Sequence, residues 1–177
     1  MRGRLLGLLL MSALLSGCGV VGEDPLGVGG GERGGTTGFN AATIGQQVVF
    51  GSTVLTNGTA EDASLLAARL VPTGVTGGAD PVAVFAVNTL YAPVVAAGVW
   101  GTDVDYPETI LHPVGGYRLT PNSSVQLLVL IDVKDTGRWE FAGLEVTYTH
   151  SGWFYSELAA NEFILCVDEA GDCLPFQ

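Results

Sequence analysis

One segment of the chain, Ser124–Lys134, alternates between apolar and mixed positions over its whole length. Its odd positions are all Val, Leu or Ile, whereas its even positions include Gln, Asp and Lys. Because successive side chains of a β-strand point to opposite faces, this period of two predicts a strand with one face in a hydrophobic core. Leu128 and Leu130 lie on the other face, so we expect a loop, a neighbouring chain or a partner to cover them.

Shorter apolar segments bounded by turn residues also predict strands. They are Gln47–Asn57, Ser64–Val71, Val82–Val87, Val94–Trp100, Trp139–Tyr148, Trp153–Glu157 and Phe163–Val167. Thr59–Leu70 also fits a helix, because Thr59 and Asp62 have the spacing of a helix cap, but its setting among strands favours β-structure. A one-residue slip of the apolar phase at Ala142-Gly143 predicts a β-bulge. About seven short strands without alternating long helices predict an all-β sandwich or barrel.

Three motifs in these segments resemble parts of bacterial immunoglobulin-like domains. Val54–Gly58 is similar to a strand that ends in Asn-Gly, Leu119–Asn122 to the turn into a core strand, and Gly143–Tyr148 to a late strand. The resemblance implies an all-β, immunoglobulin-like antiparallel β-sandwich of about seven strands. It carries over no functional residues, because the intersheet cysteine pair and the central tryptophan of antibody domains are absent.

At the N-terminus, two arginines precede an apolar run, Leu5–Leu15, that ends in Leu15-Ser16-Gly17-Cys18. A basic head, an apolar middle and small residues are the features of a secretion signal. A transmembrane helix is not expected here, because the apolar run is shorter than the roughly 20 residues that span a bilayer. The final cysteine makes the segment resemble the lipobox of bacterial lipoproteins. That resemblance implies a signal peptide at residues 1–17 and a lipid on Cys18. It also implies anchoring to the cell membrane on its extracytoplasmic face, with the lipid bilayer as a partner.

The residues after this leader are rich in glycine. We expect residues 18–40 to form a lipidated flexible tether, because such a composition cannot bury a core. The composition changes near Ala41, and residues 41–177 are expected to form a single domain.

The charge of the chain limits its partners. The chain has 7 basic and 18 acidic residues, and removal of Arg2 and Arg4 with the leader leaves 5 basic against 18 acidic residues, a net charge of −13. Nucleic-acid phosphates require a basic surface, so no nucleic-acid partner is expected.

Two cysteines remain after Cys18. In an oxidising compartment Cys166 and Cys173 form an even pair, and the six residues between them include Gly171, which suits a turn. We therefore expect a disulfide that closes a short C-terminal loop. A metal or redox pair is the alternative, but no other cysteine or nearby histidine completes a site.

The chain offers few groups for catalysis or for metal binding. It lacks the short motifs of hydrolases, metalloproteases and phosphate-binding loops, and His112 and His150 are expected in surface loops with structural or neutral roles. Asp103, Asp105 and Glu108 share a loop that has the oxygen ligands calcium prefers, but a solvated acidic loop is the favoured interpretation. No metal site and no cofactor are predicted.

Large aromatic residues are concentrated near the C-terminal end. Trp153 and Tyr155 share one face of their predicted strand, and with Leu128 and Leu130 they are the candidates for a partner-binding surface, a purely structural role being the alternative. The sequence thus predicts a non-enzymatic cell-envelope lipoprotein that acts as a protein-interaction or accessory binding module, with an envelope protein as partner. The alternative function is a small ligand- or metal-binding lipoprotein that serves a membrane complex.

Overall fold

Twelve β-strands and one turn of 3-10 helix occur in a computed structural model of the protein, which describes residues 25–28, 34–75, 77–168 and 173. The strands are β1 (Leu26–Val28), β2 (Thr36–Ala42), β3 (Gln47–Asn57), β4 (Ala63–Pro72), β5 (Ala79–Asn88), β6 (Ala97–Val99), β7 (His112–Pro113), β8 (Arg118–Leu119), β9 (Ser124–Val133), β10 (Gly137–His150), β11 (Trp153–Ala159) and β12 (Glu162–Val167). The helical turn is Glu108–Ile110.

The strands form two sheets that pack face to face. The first sheet has the order β1-β3-β9-β5-β7, with β6 also paired with β3, and the second has the order β2-β12-β10-β4-β8, with β11 also paired with β10. The pairs are antiparallel except for β2 with β12, which is parallel. The predicted all-β sandwich is therefore confirmed. The additional strands, such as β7 and β8, have too few residues to show an alternating pattern.

The alternation in the sequence explains which side chains form the core. The odd-numbered residues of β9 are all buried between the sheets, as expected. Phe50 of β3 stacks on Phe163 of β12 with ring centroids 4.6 Å apart, and Phe141 of β10 lies 6.2 Å from Phe163. The contact between Phe50 and Phe163 joins the two sheets, and burial of such apolar surface is the main favourable contribution to folding.

The segment that fitted either a helix or a strand is a strand, β4, so the favoured prediction is confirmed. The reason lies in the turn before it. The Asn57 side chain accepts hydrogen bonds from the backbone N–H and the hydroxyl of Thr59, at 3.0 and 2.7 Å. It also donates to the carbonyl oxygens of Glu61 and Leu119, at 2.8 and 2.9 Å. Thr59 is thereby held in a turn and does not cap a helix.

The predicted bulge is also confirmed. The register between β10 and β4 shifts between Phe141 and Gly143, and Gly143 has a φ of 147°. A Cβ atom there would lie 2.0 Å from the carbonyl oxygen of Ala159, so a side chain would collide with backbone. This irregularity divides β10 into a first half that pairs with β12 and a second half that pairs with β11.

Residues 18–40 are not a tether throughout, and that expectation is corrected. Leu26–Val28 pairs with the end of β3, and Thr36–Ala42 pairs with β12. Leu26 is fully buried in the core. The packed domain therefore includes residues before position 41, because the edges of β3 and β12 offer backbone hydrogen bonds to segments that have no strand pattern of their own.

The predicted signal peptide at residues 1–17 and the predicted lipidation of Cys18 lie outside the described residues and stay predictions. Within the described ranges, no helix has the length and hydropathy needed to cross a membrane.

A candidate interaction surface on strand β11

The predicted aromatic segment forms β11, the second strand of a hairpin with β10. Ser151 and Gly152 in its turn have positive φ angles of 51° and 79°, as in the two-residue type I′ turns that join antiparallel strands. In such a hairpin the flanking residues, His150 and Trp153, form a hydrogen-bonded pair, and bonded pairs then alternate along the ladder. The odd-numbered residues of β11 therefore bond to β10. The even-numbered residues direct their backbone groups away from it.

The far edge of β11 is open in the part of the chain that the structure describes. There β10 is the one strand that pairs with β11, and β2 begins opposite Glu162, just beyond the end of β11. The strand contains no Pro and no Lys, and its register with β10 has no bulge; these features protect many natural edge strands from pairing with other chains. Its one charged residue, Glu157, accepts a hydrogen bond from the Tyr148 hydroxyl. The outward backbone groups of Phe154, Ser156 and Leu158 therefore form a template for an added strand.

The side chains of β11 alternate between an inner and an outer face. Tyr155 is half-buried and stacks on Tyr148 of β10 with ring centroids 5.0 Å apart, so it belongs to the interior. Trp153 shares that face, but it lies beside the turn and is 59% exposed. Phe154 and Leu158, on the outer face, are 77% and 50% exposed. We call Trp153, Phe154 and Leu158 the β11 patch.

The structure thus changes the candidate list from the sequence. Trp153 lies on the surface as expected, whereas Tyr155 packs inward. Phe154 and Leu158 were not among the candidates. Alternation places Phe154 and Leu158 on the face opposite Tyr155 and Ala159, but it does not by itself say which of the two faces is buried.

Leu128 and Leu130 are not available for partner binding, and that candidate assignment is corrected; of the three covers expected for them, the structure shows a loop of the chain itself. Leu128 is 1% exposed and Leu130 is partly buried in a second, smaller apolar cluster on the outer face of the first sheet. Residues 92–111 cross this face and supply the cover, so the predicted strand Val94–Trp100 is reduced to Ala97–Val99. The other members of the cluster are Val49, Phe85, Val87, Ala92, Val95, Trp100, Tyr106, Ile110 and Leu111.

A buried amide fixes this cover to the sheet. The Nε2 of Gln126 donates to the carbonyl oxygens of Gly51 and Val95, at 2.5 and 2.6 Å, and its Oε1 accepts from the N–H of Val95 at 3.4 Å. A Cβ atom on Gly51 would lie 2.7 Å from the Val95 carbonyl oxygen, so this close approach requires glycine. The hydroxyl of Tyr106 donates to the carbonyl oxygen of Pro93, and burial raises the pKa of Tyr106.

The two histidines have structural surroundings. His150 lies at the turn end of β10, with its Nε2 2.9 Å from Thr59 Oγ1 and its Nδ1 3.2 Å from Ser151 Oγ. These contacts join the turn after β3 to the turn after β10. His112 is exposed in the short strand β7 and not in a loop, and its ring lies 5.7 Å from that of Tyr117.

The acidic loop does not gather its carboxylates. Asp103 Oδ2 accepts a hydrogen bond from the backbone N–H of Val99 at 2.9 Å, which stabilises the turn that follows β6. Asp105 and Glu108 are exposed. Among the described residues, no group of three or more His, Cys, Asp or Glu side chains is placed to hold a metal ion.

Cys166 and Cys173 form the predicted disulfide, with Cα atoms 5.7 Å apart. Cys166 lies on the outer face of β12, and the disulfide packs with Ile164 in a small buried cluster. The Sγ of Cys173 also lies 3.1 Å from the carbonyl oxygen of Phe39 in β2. The disulfide therefore covers the outer face of the second sheet where β12 and β2 pair.

Grooves occur at two other places on the described surface. One of about 620 Å³ lies where β3 begins and β9 ends, near Trp100 and Lys134, and a hydrogen bond to Asp80 raises the pKa of Lys134. Another of about 350 Å³ lies between the edges of β4 and β5, and its lining includes Leu66 and Val82. Both grooves lie away from β11.

Comparisons with solved structures concern the fold. The chain is similar to PapD-like domain 7 of human CEP192, also called an ASH domain, with a TM-score of 0.41 and 9% identity over 96% of this chain and 100% of that domain. It is also similar to the Vibrio cholerae VesB protease, with a TM-score of 0.41 and 9% identity over 81% of this chain, but it spans only 32% of the protease chain. No protein-family model and no curated protein matches the sequence. The architecture is an all-β sandwich of two unclosed sheets.

Proposed function

We propose that the protein is an extracytoplasmic binding module, anchored to the cell membrane through a lipid on Cys18, that recognises an extended protein segment. The segment adds as a strand to the open edge of β11. The module binds a partner and does not turn over a substrate. The lipobox resemblance of the leader supports the location, and the geometry of β11 supports the mode of binding.

The observation that carries the proposal is that outward backbone groups and exposed apolar side chains coincide on one strand. Phe154 and Leu158 present both, and Ser156 between them presents the same backbone groups. In strand addition, main-chain hydrogen bonds supply affinity and alternate side chains supply specificity. An added strand would cover Phe154 and Leu158 and satisfy the backbone groups between them.

The exposed residues Leu90 and Tyr91 lack this combination. Leu90 and Tyr91 are 82% and 72% exposed, but they lie in a turn after β5. There the backbone N–H of Leu90 donates to the Asn88 side chain, and that of Tyr91 donates to the Asn88 carbonyl oxygen. Singly exposed apolar residues are common on protein surfaces. The turn therefore provides a matched control for the β11 patch.

Amide hydrogen exchange of the full protein tests the proposal. The backbone amides of Phe154, Ser156 and Leu158 should exchange at least about tenfold more slowly in native membranes than in dilute detergent, because a tenfold change corresponds to about 1.4 kcal/mol of protection. The amide of Leu90 should not change. A Phe154→Lys variant should lose the protection, whereas Leu90→Lys should keep it. Equal exchange of the three β11 amides in both conditions would refute strand addition.

The anchor is tested separately. A Cys18→Ala variant should leave the membrane fraction, because the acyl chains supply the membrane affinity. If this variant is extracted from membranes no more easily than the natural protein, the lipid-anchored location is wrong. Binding through β11 does not depend on that result.

A further inference from the structure

We infer that the strand added at β11 is β11 of a second copy of this chain, so that two copies form a symmetric dimer through one continuous sheet. The inference rests on the proposed function, since it names the partner of the same edge. Symmetric dimers require a self-complementary surface, in which each residue meets its counterpart under a two-fold axis. The sequence of β11 meets this requirement.

The two exposed apolar side chains on the outer face of β11 are placed symmetrically about Ser156. Phe154 lies two residues before it and Leu158 two residues after it. If two β11 strands run antiparallel with the two-fold axis at Ser156, Phe154 of each copy lies opposite Leu158 of the other. Such cross-strand pairs have Cβ atoms about 4.5–5.5 Å apart and are the unit of sheet stabilisation. The pairing would therefore form two contacts between Phe154 and Leu158, one on each side of the axis. It would cover both residues in each copy.

The backbone groups fit the same arrangement. The type I′ hairpin directs the N–H and C=O groups of the even-numbered residues toward the open edge. With the axis at Ser156, each even-numbered residue lies opposite an even-numbered residue of the second copy. Ser156 then pairs with its own counterpart, and Phe154 pairs with Leu158. The outward backbone groups of all three residues find partners.

The charge of Glu157 and the length of the ladder favour an axis at Ser156 over an axis at either adjacent residue. An axis at Glu157 would place two carboxylates opposite each other, which is destabilising in a cross-strand pair. An axis at Tyr155 would place Leu158 opposite Gly152 in the turn and shorten the ladder. An axis at Ser156 uses the full strand Trp153–Ala159 and places Glu157 opposite Tyr155 of the second copy. In a strongly acidic chain this avoidance of like charges favours the register at Ser156.

The other open edges are less suited to such pairing. Pro81 lies within β5, and the register of that strand shifts between Pro81 and Ala83. Proline and bulges are the devices that blunt an edge. The start of β4 is already paired with β8. β2, at the end of the second sheet, contains Gly38, and its register with β12 shifts between Cys166 and Val167. In the described part of the chain, β11 is therefore a seven-residue edge strand without a proline, a glycine or a bulge.

Anchoring of both copies to one membrane would lower the affinity that this dimer needs. Stable dimers in solution bury about 1,200–2,000 Å² in total, which one pair of seven-residue strands does not reach. Copies anchored to one membrane surface have a high effective concentration, so a weak contact suffices there. The dimer should therefore be tested with the full protein in its own membranes.

Disulfide trapping of Ser156→Cys tests the two-fold axis. Hydrogen-bonded residues in antiparallel strands have Cα atoms about 5.5 Å apart, within the roughly 4.4–6.8 Å that a disulfide allows. Mild oxidation of native membranes should give a reducible dimer at least about tenfold more abundant than with Leu90→Cys, a control at another exposed position. Phe154→Cys alone should stay at the control level, because its counterpart lies four residues away along the ladder. Mixed with Leu158→Cys, it should form the dimer again.

The outcomes separate this inference from the proposed function. If Ser156→Cys links no more than Leu90→Cys while the β11 amides are protected in membranes, the edge binds another protein and the inference is wrong. If the amides are unprotected as well, both the inference and the proposed function fail. If Phe154→Cys links to itself as readily as Ser156→Cys does, the register at Ser156 is overturned.

Discussion

The outer faces of the two sheets carry similar side chains but differ in what lies over them. On the first sheet Leu128 is almost fully buried, whereas on the second sheet Phe154 is largely exposed. Residues 92–111 cross the first sheet and pack on its leucines, and no described segment crosses β11. An apolar residue that points outward from a sheet is therefore a candidate for partner binding only where the chain itself does not cover it.

The same contrast exists within the second sheet. The outer face of β12 is covered near Ile164 by the disulfide between Cys166 and Cys173. The neighbouring strand β11 has no such cover in the described part of the chain. The exposed region is thus confined to the hairpin end of this sheet, where an added strand would extend it.

The largest expected difference between the two faces is in stability. Leu128→Ala should lower the free energy of unfolding by about 2–5 kcal/mol, because it removes a buried side chain from a packed cluster. Phe154→Ala should change the stability of the monomer by less than about 0.5 kcal/mol, because an exposed side chain loses little on truncation. Urea denaturation of both variants measures the difference. Similar losses in the two variants would show that β11 is covered and would break the comparison.

A second, smaller effect on stability is expected from the side-chain amide of Gln126, which holds residues 92–111 on the first sheet. Gln126→Leu leaves the carbonyl oxygens of Gly51 and Val95 without their donor, and each unsatisfied buried group costs about 1–3 kcal/mol. The control is Gln47→Leu, since Gln47 makes an exposed hydrogen bond to Asp132 at 2.9 Å. Hydrogen exchange of the Val95 backbone amide should also be faster in the Gln126 variant. If both variants are equally stable, Gln126 does not fix the cover.

The smallest expected effect is a dependence on pH. The pKa of Tyr106 is raised in the folded protein, so the neutral phenol stabilises the fold at and below pH 10, and this contribution is lost as the pH rises through the folded pKa. Tyr106→Phe should be less stable than the natural protein by about 0.5–1.5 kcal/mol near neutral pH, because it lacks the hydrogen bond to Pro93. The difference should shrink above pH 10 in denaturation experiments. A difference that is constant with pH would mean that the Tyr106 hydroxyl does not hold the cover.

Predictions from local pattern agree with the structure where a segment decides its own conformation. The alternation in β9, the slip at Ala142-Gly143 and the pair Cys166 and Cys173 are all readable within a few residues of sequence. The structure confirms each of them. The side chains of β11 were predicted less well, because alternation defines two faces but does not say which one is buried.

The sequence by itself determined that the chain forms short strands, where these strands have an apolar face, and which cysteines pair. These properties follow from side-chain period and from residues close together in the chain. Only the tertiary structure decided that Thr36–Ala42 joins a sheet, that residues 92–111 cover Leu128, and that Phe154 stays exposed. Each of these depends on hydrogen bonds or packing between segments far apart in sequence, and such contacts leave no local pattern.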